Sequence, residues 1–213
     1  MRLGIFGLPG AGKGTQASRL ATHLSVPHVS TGDMFRKIQE SHSPVANDIR
    51  RIMASGNLVS DDMVTELTLE RLSAQDCLEG FILDGYPRTL EQAKSLEASA
   101  YALDALIYLE IDKMEIVERL SGRRLCERCG SIFSKAELGD EQICPSDGSP
   151  LIQRTDDRRD AVKKRLEVYE QNASPILEFF MNLKLLHHID ASGTVDEVFA
   201  RLLASISKIG VRQ

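Results

Sequence analysis

Tryptophan is absent from this 213-residue chain, aromatic residues make up only 5% of it, and no apolar run approaches the roughly 20 residues that cross a membrane. The opening "MRLGIFGLPG" carries one basic residue but lacks the apolar stretch of roughly 7–15 residues that a secretory signal needs. Cysteine is scarce too. Cys77, Cys126, Cys129 and Cys144 are too few and too clustered for the disulfide framework of a small secreted domain, so a reducing cytoplasm is the expected compartment. An excess of positive charge is also missing. With a formal net charge of −5, the chain has no overall attraction for nucleic acid or anionic membrane, and any anionic ligand must be met by local positive charge. A nucleic-acid-binding zinc ribbon would need a basic face with interleaved aromatics, and the acidic balance and missing tryptophan count against it.

What is present suits one globular domain with room for a small insertion: 42% apolar and 27% charged residues, in a chain long enough to bury a substantial core. Arginine outnumbers lysine, and a planar guanidinium grips phosphate in a two-pronged way that an ammonium cannot. Short strand candidates recur: "RLGIFG", Pro27–Ser30, Gly80–Asp84, Ala105–Ile111 and Leu185–Ile189. Each is followed by a helix-compatible segment, as a parallel sheet requires. Ala17, Leu20, Ala21 and Leu24 carry the first helical stripe, and Val195, Val198, Phe199, Leu202, Leu203 and Ile206 the last. Ser43–Pro44 and Ser60–Asp62 are helix-start signals for two helices between the second and third strands. From Gly122 to Asp157 the periodicity disappears and "CERCGSIFSKAELGDEQICPSDGSP" brings cysteine, glycine and proline instead. This reads as an inserted subdomain.

The stretch "GIFGLPGAGKGTQ" turns from strand to glycine and then to helix. In that context Gly7, Gly10, Gly12, Lys13, Gly14 and Thr15 read as a phosphate cradle: backbone N–H groups curl inward, the helix N-terminus adds partial positive charge and Lys13 adds a full one. A tight turn with purely geometric glycines is the plainer reading. A dinucleotide-binding turn would not need Lys13 and lacks a clear acidic partner about 20 residues on.

Together, "GLPGAGKGTQ", "STGDMFR" (Ser30–Arg36) and "DGYPRTLEQA" (Asp84–Ala93) closely resemble the adenylate kinase family, of the bacterial type with a long, zinc-bearing lid. The resemblance runs from Met1 to about Phe199. It implies a P-loop α/β fold with a five-stranded parallel sheet flanked by helices, and reversible magnesium-dependent phosphoryl transfer, ATP + AMP = 2 ADP, in adenine nucleotide homeostasis by a monomer. A nucleoside monophosphate kinase using GMP, CMP or UMP is the alternative. The implied divisions are a core (1–29, 60–121 and 158–213), an AMP-binding helical segment (30–59) and a lid (122–157).

By the same resemblance, Gly10, Ala11, Gly12, Lys13, Gly14, Thr15, Arg119, Arg123, Ile132, Phe133 and Gly193 are expected around ATP. Thr31, Arg36, Asn57, Leu58, Val59, Gly85, Tyr86, Pro87, Arg88, Gln92, Arg154 and Arg165 are expected around AMP, with Gln92 reading the adenine edge. Lys13, Arg88, Arg123, Arg154 and Arg165 would carry catalysis as charge stabilisers, Asp84 would organise magnesium and its waters, and Asp156 and Asp157 match an acidic pair. Gly14 stands where a hydroxyl residue normally follows the lysine, so a direct hydroxyl ligand for magnesium does not carry over.

Cys126-x2-Cys129 and, fourteen residues later, Cys144-x2-Asp147 have the spacing of a two-knuckle tetrahedral zinc site, closed and therefore structural. Free thiols or a disulfide are the competing readings. Cys77 reads as a small buried apolar residue, and the five histidines show no metal-binding pair.

Overall fold

The computed structural model describes residues 1–39, 44–55, 57–139 and 141–210. Among them, five parallel strands form the main sheet in the order β2-β3-β1-β4-β8: β1 (Arg2–Gly7), β2 (His28–Ser30), β3 (Phe81–Asp84), β4 (Ala105–Glu110) and β8 (Leu186–Asp190). Every expected strand is present, with ends displaced by one residue at most. Alternation divides their side chains between two cores. Leu3 and Ile5 of β1, Ile82 of β3 and Ala105, Ile107 and Leu109 of β4 pack beneath α1 (Lys13–Leu24), α6 (Lys113–Ser121) and α9 (Val195–Ile206). Phe6, Phe81, Leu83 and Leu106 face the other way, under α2 (Thr31–Gln39), α3 (Pro44–Ala54), α4 (Asp61–Leu72), α5 (Leu90–Glu97) and α8 (Arg159–Asn182). Helices therefore cover both faces of a sheet whose strands are apolar on both sides, the arrangement parallel strands demand.

Among the described residues three α-helices separate β2 from β3: "TGDMFRKIQ" enters α2 directly from the strand, ahead of the two helices expected from Ser43–Pro44 and Ser60–Asp62. Ser30 Oγ accepts the Asp33 N–H at 3.2 Å, the bond by which a capping side chain satisfies the third N–H of a helix. The helix-start signal at Ser43 lies outside the described residues, and α3 begins at Pro44. Ser60 sits at the N-cap of α4 without a side-chain capping bond among the described residues.

The inserted segment folds as a three-stranded antiparallel patch, β6-β5-β7, from β5 (Arg123–Cys126), β6 (Ile132–Ser134) and β7 (Leu151–Ile152), with a single helical turn, α7 (Lys135–Leu138). Its apolar interior is small: Cys126, Leu138, Cys144 and Leu151, with Phe133 against them. The chain returns through a 3₁₀ turn (Thr155–Asp157) into α8.

Strands β1 and β3 are neighbours with Ile5 level with Asp84, and α1 and α5, which follow them, pack on opposite faces. This is the point where strand order reverses. Loops leaving the strand ends there diverge and open a crevice, the place where open α/β sheets hold ligands.

Candidate active site

The crevice continues into a single cleft of about 1580 Å³ bounded by the glycine loop, α2, the Gly85–Arg88 turn, the inserted patch and α8. That exceeds the roughly 300–1,000 Å³ typical of a site for one small molecule. At one end, Gly10 (φ 89°) and Gly12 (φ 85°) occupy the left-handed region, where a side chain would strain the backbone. They turn the chain so that α1 begins at Lys13 with its N-terminus towards the cleft. The first internal bond of that helix runs from the Gln16 N–H to the Gly12 carbonyl, so the N–H groups of Lys13, Gly14 and Thr15 lack intrahelical acceptors. Lys13 folds back, its Nζ donating to the carbonyls of Gly7 and Leu8 at 2.9 and 2.8 Å.

Gly10, Gly12, Lys13, Gly14, Thr15, Arg36, Asn57, Leu58, Asp84, Gly85, Pro87, Arg88, Arg119, Arg123, Ile132, Phe133, Arg154, Arg165 and Gly193 all line this cleft. Five expected residues do not. Ala11 is 2% exposed, packs into the core beneath α1, and spends its N–H on the Leu8 carbonyl at 3.0 Å. Val59 lies in the opposite core. Thr31 is buried behind the wall, its hydroxyl 3.4 Å from the Asp84 carbonyl. Tyr86, 1% exposed, turns its hydroxyl to Thr65 and the Gln92 carbonyl at 3.1 and 3.2 Å. Gln92 is equally buried, its side-chain amide held between the Arg88 N–H and Asp61.

Positive charge predominates in the cleft. Burial pulls the Lys13 ammonium from an ordinary 10.5 to about 7, with Asp84 opposing and Arg88, Arg165 and Arg123 adding to the fall. Burial and Arg165 depress Arg88. Burial, then Arg36 and Arg123, bring Arg154 to about 10, and Arg165 is lowered by burial against the pull of Asp156. Four cations each disfavoured by desolvation and by neighbouring arginines mark a site short of negative charge. The acids present only partly answer them. Asp157, fully buried, accepts from Arg123 and Arg165, and Asp156 lies 3.0 Å from Arg165. Burial would raise the Asp33 carboxyl, but ion pairing with Arg36 outweighs it and holds it low. Among the described residues Arg154 Nε has no hydrogen-bond partner. Asp33 and His28, whose Nε2 lies 3.6 Å from Asp84, were given no part in this site from the sequence; an acid three residues before Arg36 on a helix was the available signal for the first.

In the inserted patch, Cys126, Cys129, Cys144 and Asp147 offer four ligand atoms within 4.8 Å of one another. The Cys129 and Cys144 sulfurs are 3.6 Å apart, and Cys126 Sγ is 3.5 Å from Asp147 Oδ2. A tetrahedral site with metal–sulfur bonds of about 2.3 Å has edges of about 3.7 Å, so the four residues fit such an ion.

The family model described as "Adenylate kinase" matches residues 5–185. The chain belongs to the adenylate kinase family. The adenylate kinase of Carboxydothermus hydrogenoformans is 39% identical over 98% of this chain and 100% of its own length, and that of Thermosipho africanus 40% over the same shares. The adenylate kinase of Staphylococcus epidermidis is 41% identical over 93% of this chain and 95% of its own. Membership accounts for the glycine loop, the cation cluster and the five-stranded sheet as parts of one nucleotide phosphotransferase.

Proposed function

We propose that the cleft binds MgATP against the glycine loop and AMP against the Gly85–Arg88 turn, and interconverts them with two ADP. The observation that carries this is the set of cations disfavoured by burial and by neighbouring positive charge, Lys13, Arg88, Arg154 and Arg165, lining, with the glycine loop and the Gly85–Arg88 turn, a cleft larger than one small molecule needs. Two polyphosphates meeting end to end would supply the missing charge. A loose phosphoryl transition state spreads charge over its equatorial oxygens, and donors already fixed around it stabilise it without reorganising. Lys13 and the helix amides would hold the phosphates of ATP, Arg88 the acceptor phosphate, and Arg123, Arg154 and Arg165 the group in transit. Arg119, Ile132, Phe133 and Gly193, which line the cleft, would meet ATP; Arg36, Asn57 and Leu58, which line it too, would meet AMP.

Magnesium, bound with ATP, neutralises phosphate charge; Asp84, facing Gly14 from the end of β3, is the carboxylate placed to hold its waters. Zinc, held by Cys126, Cys129, Cys144 and Asp147, would cross-link the patch in place of the core it lacks. In this reading 1–29, 60–121 and 158–213 form the core, 30–59 the AMP segment and 122–157 a lid that excludes water. The protein works as a cytoplasmic monomer. All four cysteines are free, which suits a reducing compartment, and no described helix is long and apolar enough to cross a membrane.

Coupled assay of ADP formation from ATP with AMP, GMP, CMP or UMP tests the assignment. AMP is expected to be the preferred acceptor, and equal or faster turnover with another monophosphate would overturn it.

A further inference from the structure

A carboxylate outside the cleft wall controls how the buried amide behind it can be oriented. Asp61, in the first turn of α4, receives the Gln92 Nε2–H on Oδ1 at 2.8 Å and the Thr89 hydroxyl on Oδ2 at 2.7 Å. Gln92 Oε1 accepts the Arg88 N–H at 2.7 Å, and Thr89 Oγ1 accepts the Gln92 backbone N–H at 3.2 Å as the cap of α5. These bonds are directional. A carboxylate can only accept and a backbone N–H can only donate, so turning the amide over would set its NH2 against the Arg88 N–H and its oxygen against Asp61. Gln92 is therefore locked in one orientation by two groups, and Asp61 is the one carrying charge.

Of the amide's hydrogen-bonding capacity, one Nε2 hydrogen and one Oε1 lone pair are left over after these bonds. They form a donor–acceptor pair of fixed sense on a buried amide behind the cleft wall, tied to it through the backbone N–H of Arg88, which does line the cleft. Adenine presents the complementary edge, with N1 accepting and the 6-amino group donating; hypoxanthine, nearly isosteric, presents the reverse, with N1–H donating and O6 accepting. We propose that Asp61 is a specificity-determining positioning residue: by fixing the sense of the Gln92 amide it selects a 6-aminopurine acceptor over a 6-oxopurine. This rests on the reading of Gln92 as the residue that meets the acceptor base.

The test compares AMP with IMP as acceptor, as the ratio of their kcat/KM values at saturating MgATP. Substituting Asp61→Asn keeps the side-chain shape but adds a donor that can meet the oxygen of the flipped amide, leaving only the Arg88 N–H to oppose the flip, and Asp61→Ala removes both acceptor oxygens. The ratio is expected to fall at least about fivefold in D61N, since a site built to pair a polar edge loses discrimination when the pairing loosens. A smaller fall overturns the inference. Damage to the fold alone would lower both acceptors together and leave the ratio in place, so the ratio and the KM for MgATP are read in both variants. Gln92→Leu separates the two levels. If Q92L leaves the ratio unchanged, the reading of Gln92 fails; if Q92L collapses it and both Asp61 variants do not, only the role of Asp61 fails.

Discussion

At the residue scale, Lys13 carries opposed demands. Its ammonium is buried and drawn down to about 7, so the unfolded chain, in which an ordinary lysine holds its proton to about 10.5, binds more protons than the nucleotide-free fold between those values. Stability contributed by this group therefore rises with pH across that window and is least below it. Lys13→Met removes the penalty. The variant is expected to unfold at higher denaturant concentration than the parent at pH 7, with the gap closing towards pH 10, while its turnover drops by at least about a hundredfold. Chemical denaturation at several pH values and a coupled assay check both halves. In the parent, ATP binding at pH 8 should take up a proton as the phosphates restore the charge, seen by calorimetry in buffers of different ionisation enthalpy. Equal heats in all buffers would contradict it.

At the element scale, the inserted patch is expected to depend on metal and the main sheet is not. With so few apolar residues inside it, removing a structural ion should leave the strands of the patch exchanging freely while β1, β3 and β4 stay protected. Hydrogen exchange before and after chelation checks this, and Cys129→Ser should mimic the chelated state. At the far end of the chain, Thr194 and Glu197 form a reciprocal cap on α9. Thr194→Ala is expected to cost about 1 kcal/mol and lower the melting temperature by roughly 2–4 °C. The same scale explains what was legible beforehand. Main-sheet strands of three to six residues, each followed by a helical segment, and a 12-residue helix with one unbroken stripe announce themselves, and the glycine loop did so because strand, turn and helix come consecutively. Strands of two to four residues in the patch show no period, since they are organised by cross-links and turns. Ala11, Thr31 and Tyr86 belong to genuine motifs, yet which way each faces depends on backbone direction that spacing does not encode. Asp61 was read as a generic helix-start acid; only its bonds to residues 28 and 31 positions away distinguish it.

At the scale of the whole molecule, the cleft joins three parts of the chain that are remote in sequence, so filling it should couple them. A two-adenosine analogue bridging both pockets is expected to slow exchange in 30–59 and 122–157 together, whereas ATP alone should slow mainly 122–157; protection of only one region by the bridging analogue would argue against opposed sites. Bringing so many cations to one mouth has a further effect, because the molecule as a whole carries −5. Its remaining surface must hold a still larger negative excess, which leaves the protein strongly dipolar. A passing nucleotide is turned away from the back and sides and drawn in at the opening, so added salt should slow encounter while leaving the chemistry of the filled site almost untouched.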